Sequence, residues 1–176
     1  MNTVHEWLRT QKAGEIMTKT VECLRPSDRL SDAVSLFLRD QISGAPVVDD
    51  SGVCVGVLST TDIVHYDEKH SRATKTPGVH HARHSSFDTW EPGNRWWCEF
   101  GRISEEIQSQ LDACVADFMT RDLVSVTEET SLGVLVRQMF DAHVHRILVL
   151  DGARRLMGVI TTMDVLGALL RASRRE

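Results

Sequence analysis

The feature that most constrains this chain is an internal repeat. Residues 15–64 align without a gap on residues 117–166, an offset of 102 positions. About ten aligned positions are identical, and they include Met17-Thr18 with Met119-Thr120, Gly56 with Gly158, and Asp62 with Asp164. A unit of about fifty residues is too small to bury both faces of a sheet alone. The two copies are therefore expected to pack against each other.

Each copy has the same predicted order of strand, helix, strand, strand and helix. A short apolar strand is predicted first, at 21–24 and at 123–126. Apolar residues then recur at i, i+3, i+4, i+7 and i+8 from Leu30 and from Leu132, which is the spacing of a helix with one buried face. The predicted N-caps of these helices are Ser27 and Ser131.

Two apolar runs joined by a turn follow in each copy. The turns, 49–52 and 151–154, are rich in Asp and Gly, which indicates a β-hairpin. A second helix is predicted to start near Thr60 and near Thr162. The fold class is therefore α/β, in the α+β sense: two β-α-β-β-α repeats packed through their sheets, with a long insert between them.

The insert differs from both repeats. The predicted divisions are 11–67 for the first repeat, 68–113 for the insert and 114–172 for the second repeat. The insert lacks periodicity until about Ser104, where Ile107, Leu111 and Cys114 predict a helix. It also contains four candidate zinc ligands, namely His80, His81, His84 and Cys98. Its three tryptophans, Trp90, Trp96 and Trp97, are a candidate contact surface. The histidines lack the regular spacing of a metal motif, so no metal site is assigned.

Composition excludes several classes of protein. The formal net charge of -5 argues against nucleic-acid binding, which needs a basic surface. The longest apolar runs have strand length and fall well short of the roughly 20 residues of a membrane span. No two of the four cysteines have C-x2-C spacing, so they are predicted to be reduced thiols in a cytoplasmic protein.

A short pattern ends the hairpin of each copy: Gly, two apolar residues, a hydroxyl residue, and Asp three residues later. It covers 56–62 and 158–164. One interpretation is a helix start, with Ser59 or Thr161 as the cap and Asp62 or Asp164 in the first turn. A second interpretation adds a ligand: the helix start binds a phosphate, the Asp binds a ribose diol, and the Gly lets the ligand approach the backbone.

This pattern resembles the nucleotide-binding signature of tandem cystathionine β-synthase (CBS) domains. The Met-Thr pairs at 17–18 and 119–120 and the run 45–49 are also typical of CBS domains. The resemblance covers both repeats. It implies clefts for adenosine ligands, namely AMP, ADP, ATP or S-adenosylmethionine, with no cofactor required. It also implies a regulatory role without catalysis and a homodimer. The sequence contains no recognisable output domain, so any effector protein is expected to act in trans. Apolar helix faces around Phe37 and Phe140 are the expected dimer contacts.

The resemblance also assigns residues to these clefts. Asp62 and Asp164 would bind ribose, and Ser59, Thr60, Thr161 and Thr162 would face phosphate. The adenine slot would be formed by Thr20, Val21, Glu22, Asp122, Leu123 and Val124, together with Ala45, Pro46, Ile147 and Leu148. The run 144–149 is similar to a strand of the γ subunits of AMP-activated protein kinase, in which His145 and Arg146 would bind phosphate. The alternative for that pair is a solvated edge of a strand.

The first copy departs from this pattern. Ser43 and Gly44 stand where the second copy has His145 and Arg146, so the second-copy site is favoured unless a basic residue reaches the first copy from elsewhere. No catalytic constellation, P-loop or G-x-G-x-x-G motif is present in the sequence. Two alternatives stay open: an interaction protein with vestigial sites, and a metal-dependent enzyme built on the insert.

Overall fold

A computed structural model of the chain describes residues 4–63 and 111–173. The first half contains α1 (Val4–Thr10), α2 (Ala13–Ile16), α3 (Leu30–Asp40), β1 (Gly44–Val48) and β2 (Cys54–Ser59), and a further helix begins at Thr60. The second half contains α4 (Val115–Phe118), β3 (Ser125–Val126), α5 (Leu132–Asp141), β4 (Arg146–Leu150), β5 (Leu156–Thr161) and α6 (Thr162–Ser173).

Helices α3 and α5 form where the apolar spacing predicts them. Each buries one face: α3 through residues such as Leu30 and Phe37, and α5 through Leu132 and Leu135. The predicted cap at Ser131 is confirmed as the N-cap position of α5, although its side chain makes no capping bond. The predicted cap at Ser27 is wrong. Arg29 is the N-cap of α3 because residues 25–28 form a separate turn, in which the Arg25 amide donates to the Asp28 carboxylate.

Both predicted hairpins are confirmed. Strands β1 and β2 pair antiparallel, as do β4 and β5, and each pair has an irregularity next to its turn. One carboxylate oxygen of Asp49 accepts the amides of Ser51 and Val53 at 2.8 and 3.0 Å. Asp151 holds the second turn in the same way. The aspartates therefore fix each turn by replacing backbone partners.

The predicted first strands are shorter than expected. Only Ser125–Val126 forms a strand in the second repeat, parallel to β4. In the first repeat, 21–24 is reduced to one parallel bridge between Leu24 and Val47. These segments connect the two repeats, so most of their backbone lies outside a regular ladder.

The short helices α2 and α4 are exchanged between the repeats. Ala13 and Met17, at α2, are buried in the core that is otherwise formed by α5, β4 and β5. Val115 and Phe118, on α4, are buried in the core formed by α3, β1 and β2. Backbone bonds fix both positions: the Ala13 amide donates to Thr130, and the Val115 amide donates to Asp28. Each repeat's core is thus completed by a helix from the other half of the chain.

A third apolar cluster joins the two hairpins. Cys54 on β2 is fully buried with Leu148 and Leu150 on β4. The turns also meet, since the Cys54 amide donates to the Arg154 carbonyl at 2.9 Å. The predicted packing of the repeats through their sheets is confirmed.

Two further predictions are wrong. Leu111 lies in a turn and Cys114 is the N-cap of α4, so the predicted helix of the insert does not include them. Phe37 is only 1% exposed because it fills the core of the first repeat, so its side chain is not available for the dimer contact that the sequence predicts. The candidate zinc ligands and the three tryptophans of the insert lie outside the described residues.

Candidate functional site

The helix start after the second hairpin is a reciprocal cap. The Thr161 amide and hydroxyl both donate to Oδ2 of Asp164, each at 2.7 Å, and the Asp164 amide donates back to the Thr161 hydroxyl at 3.3 Å. This arrangement satisfies helix-start donors with a single carboxylate oxygen. The other oxygen, Oδ1, has no hydrogen-bond partner among the described residues. The half-buried Asp164 therefore keeps one acceptor available.

The first repeat has the same cap with one difference. Ser59 donates to Oδ2 of Asp62 from its amide and its hydroxyl, at 2.8 and 2.5 Å. Oδ1 of Asp62, however, accepts a bond of 2.9 Å from the hydroxyl of Thr120 in the second repeat. A ligand hydroxyl that binds Asp62 would have to displace or share the bond from Thr120. A ligand hydroxyl that binds Oδ1 of Asp164 would displace no bond from the described residues.

The amides of Thr60 and Thr162 are already bonded. They donate to the carbonyls of Ser43 and His145, each at 3.0 Å, and so connect each helix start to the strand beside it. Of these two residues, only the hydroxyls stay available for the phosphate contact that the resemblance assigns to them. Both side chains lie at the surface or half-buried.

Arg146 lies beside this cap but reaches the other repeat. Its Cα is paired with Thr161 in the β4–β5 ladder. Its guanidinium crosses to the first repeat, where Nη1 donates to the Gly44 carbonyl and Nη2 donates to the Ser43 hydroxyl at 2.7 Å. Partial burial lowers the pKa of Arg146 below its ordinary value. Arg146 is therefore a basic residue that reaches the first copy from elsewhere in the chain.

The two motif glycines pack against protein. A Cβ on Gly158 would lie 2.8 Å from the Thr18 carbonyl oxygen and 2.9 Å from the Met17 sulfur. A Cβ on Gly56 would lie 2.6 Å from the Met119 sulfur. The prediction that these glycines admit a ligand to the backbone is therefore wrong. Their lack of a side chain leaves space for the Met-Thr segment of the opposite repeat to pack against the strand.

The residues predicted to form the adenine slot lie in different surroundings in the structure. Ala45 and Ile147 are buried in separate cores, and Leu148 lies between the hairpins, so their side chains face the interior of the protein. Thr20, Val21 and Glu22 lie in the segment between Thr18 and Leu24. Backbone bonds attach this segment at its two ends, where Thr18 pairs with Val159 and Leu24 forms a bridge with Val47. Pro46 is buried, and its carbonyl accepts the Leu24 amide.

Asp122 and Leu123 lie instead in a cleft of about 550 Å³ that Arg121 and Arg154 also line, together with residues of β3 and the end of β4. Val124 packs instead against the core of the second repeat. Leu150, at this end of β4, is four residues from Arg146, or about 13 Å along an extended strand. The cleft is therefore distinct from the cap at Asp164. The sequence did not point to Arg154, since it lies in the hairpin turn.

The described residues contain no group of His, Cys, Asp and Glu side chains placed to bind a metal ion. Within the same part of the chain, no helix is both long enough and apolar enough to cross a bilayer.

Comparison with known proteins identifies the family. The sequence profile described as "CBS domain" matches residues 13–69 and 115–171, which together are more than half of the chain. This protein therefore belongs to the CBS-domain family and contains a tandem CBS pair, as its resemblance predicted.

Individual relatives match between 78% and 92% of the chain. It is 26% identical over 163 residues to the CBS domain-containing protein CBSX2, chloroplastic, of Arabidopsis thaliana, covering 92% of this chain and 64% of that relative. It is 27% identical over 156 residues to the uncharacterized protein MJ1426 of Methanocaldococcus jannaschii, covering 89% of each. The γ-3 subunit of 5'-AMP-activated protein kinase from Bos taurus is 20% identical over 144 residues, covering 78% of this chain and 22% of the subunit.

Solved structures share the fold. CBSX2 in complex with AMP superposes with a TM-score of 0.65 at 22% identity, covering 93% of this chain and 98% of that one. The CBS domain pair of MJ0100, solved with 5'-methylthioadenosine and S-adenosyl-L-methionine, superposes with a TM-score of 0.62 at 15% identity, covering 92% and 98%. These similarities establish the CBS-pair architecture.

Proposed function

We propose that this protein is a regulatory CBS pair that binds an adenine nucleotide and acts on a separate effector protein. The observation that carries the proposal is the second-repeat cap, where Asp164 has one oxygen bonded and one available, beside Arg146. A free carboxylate oxygen accepts ribose hydroxyls, and an arginine binds phosphate as a two-pronged donor. AMP, ADP and ATP share both groups, and S-adenosylmethionine has only the ribose.

The relatives support this ligand class. CBSX2 was solved with AMP, and MJ0100 with 5'-methylthioadenosine and S-adenosyl-L-methionine. Those ligands share an adenosine moiety with or without phosphate. The open Oδ1 of Asp164 suits the shared moiety, while Arg146 would distinguish the phosphorylated members.

Calorimetry of the purified full chain against AMP, ADP, ATP, S-adenosylmethionine and adenosine tests the proposal, after any co-purified nucleotide has been removed and identified. We expect heat from at least one phosphorylated nucleotide and tighter binding of it than of adenosine. Asp164→Ala is the site variant. Asp141→Ala, at an exposed position at the end of α5, is the control for loss of a carboxylate elsewhere. Absence of binding by all five compounds would reject the proposal.

We also propose that the chain forms a homodimer through α6. Met163, Leu166, Leu169 and Leu170 are 41–71% exposed on this one helix. Four large apolar side chains on one helix leave a surface that association would remove from water. Phe140 on α5, which is 79% exposed, is the remaining expected dimer contact. The cytoplasmic location stays a prediction.

A further inference from the structure

Arg146 is a half-buried cation whose partners among residues 4–63 and 111–173 are neutral oxygens. Its two partners are a backbone carbonyl, at Gly44, and a hydroxyl, at Ser43. The ion pairs of the described residues involve Arg25, Arg29 and Arg39, whereas no described carboxylate lies within ion-pair distance of Arg146. A partly desolvated charge without a counter-charge is costly, so this position favours the arrival of an anion.

The guanidinium also connects two equivalent places in the fold. Arg146 is paired with Thr161, the cap of the second repeat. Gly44, which accepts its bond, is paired with Ser59, the cap of the first repeat. The backbone of Arg146 therefore lies beside the cap of the second repeat, and its guanidinium bonds the residue that is paired with the cap of the first repeat. The aligned position of the first repeat is Gly44 itself, so it supplies no second cation here.

We propose that Arg146 is a latch between the two repeats and that a ligand phosphate opens it. In this structure the guanidinium bonds Ser43 and Gly44. When a phosphate binds, the guanidinium leaves these neutral acceptors, because a phosphate offers it two parallel bonds together with the attraction of an opposite charge. Adenosine has no phosphate and leaves the latch closed. This inference rests on the proposed function and adds to it a way for ligand charge to alter the contact between repeats.

A double-mutant cycle tests the latch. Ser43→Ala, Arg146→Met and the double variant are melted with and without ligand. Without ligand, the two single changes are expected to be non-additive because the residues share a bond, with a coupling of about 2–4 °C in melting temperature. At saturating AMP the coupling is expected to disappear, and at saturating adenosine it is expected to persist.

Two additions keep every outcome decisive. If Arg146→Met does not fold, Arg146→Lys replaces it, since one ammonium cannot reproduce the two-pronged contact. Inorganic pyrophosphate is tested beside the nucleotides as a phosphate source without adenosine. Coupling that persists with AMP bound, as verified by calorimetry, would overturn the latch and leave the proposed function standing. Coupling lost with pyrophosphate while no nucleotide binds would support the latch and reject the proposed function. Coupling absent without ligand, or unchanged by every phosphate compound, overturns the latch.

Discussion

Thr18 and Val159 exchange two backbone hydrogen bonds, of 2.9 and 3.0 Å, although they belong to different repeats. Thr120 and Val57 make the equivalent pair in the other direction, with two bonds of 2.9 Å. Each hairpin is thus extended at one edge by the segment that leads into the other repeat. These two pairs explain why the neighbouring glycines of the nucleotide signature are structurally required.

We expect Gly158→Ala to destabilise the protein by about 1–3 kcal/mol, the usual cost of overpacking. The new methyl group would meet the Thr18 carbonyl oxygen, a backbone atom that cannot move without breaking the bonds to Val159. Gly152→Ala is the matched control, since a Cβ there has nothing within 4 Å. Urea denaturation measures both. Equal stability of the two variants would contradict the packing role of Gly158.

The exchanged helix α4 gives a second prediction. Phe118→Ala should cost about 3–5 kcal/mol, as for other buried aromatic residues. The loss should appear in the first repeat, as faster hydrogen exchange in α3, because Phe118 packs in that core. Val134→Ala, at an exposed position on α5, is the control and should stay within about 0.5 kcal/mol of the parent. Faster hydrogen exchange confined to the second repeat would contradict the packing of α4 in the core of the first repeat.

The two ribose-site candidates should differ. Asp164→Ala should weaken AMP binding tens-fold or more, since a hydrogen bond to a charged group is worth about 1.5–3 kcal/mol. Asp62→Ala should weaken it less, because Oδ1 of Asp62 is already bonded to Thr120. Calorimetry measures the affinities. Both changes also remove a helix cap, at a cost of about 1 kcal/mol, so melting curves must show folded protein. Equal binding by folded Asp164→Ala and parent would leave Asp164 with its capping role alone.

If the chain dimerises through α6, a charge introduced on this helix should weaken the dimer. Leu170→Glu should shift the protein toward monomer, because it introduces a carboxylate into the exposed apolar stripe of α6. Val134→Glu changes another exposed apolar residue, on α5, and should leave the dimer intact. Sedimentation velocity at micromolar concentration compares the two. A monomeric parent rejects the dimer, and dissociation by Val134→Glu alone places the contact on α5.

The cysteines should react at different rates. Cys54 is fully buried, and burial raises the pKa of its thiol, whereas Cys114 is exposed. Alkylation mapped by mass spectrometry should therefore modify Cys114 much faster at neutral pH, since the thiolate is the reactive form. Folding favours the neutral thiol of Cys54, so its contribution to stability is present below the ordinary thiol pKa and is lost as pH rises. Comparable rates at Cys54 and Cys114 would contradict this burial.

Local features of this chain could be predicted from the sequence, and long-range ones could not. The hairpin turns at Asp49 and Asp151 and the caps at Asp62 and Asp164 depend on residues two to four positions apart, so the sequence displays them directly. The exchange of α2 and α4 is invisible because both copies have the same pattern, and either helix would suit either core. The reach of Arg146 to Ser43 depends on where the repeats meet, which the pattern within one repeat does not specify.

The pairing of Arg146 with Gly44 has a consequence for why this unit is duplicated within one chain. Two identical subunits related by a two-fold axis must place the same side chain on both sides of that axis. Two arginines at this point would bring like charges together, and two glycines would leave no cation at all. Joining the copies in one polypeptide lets them differ at this position, so that one half supplies the charge and the other supplies the space and the acceptor. Covalent duplication thus provides an asymmetry that a symmetric assembly of single repeats could not have.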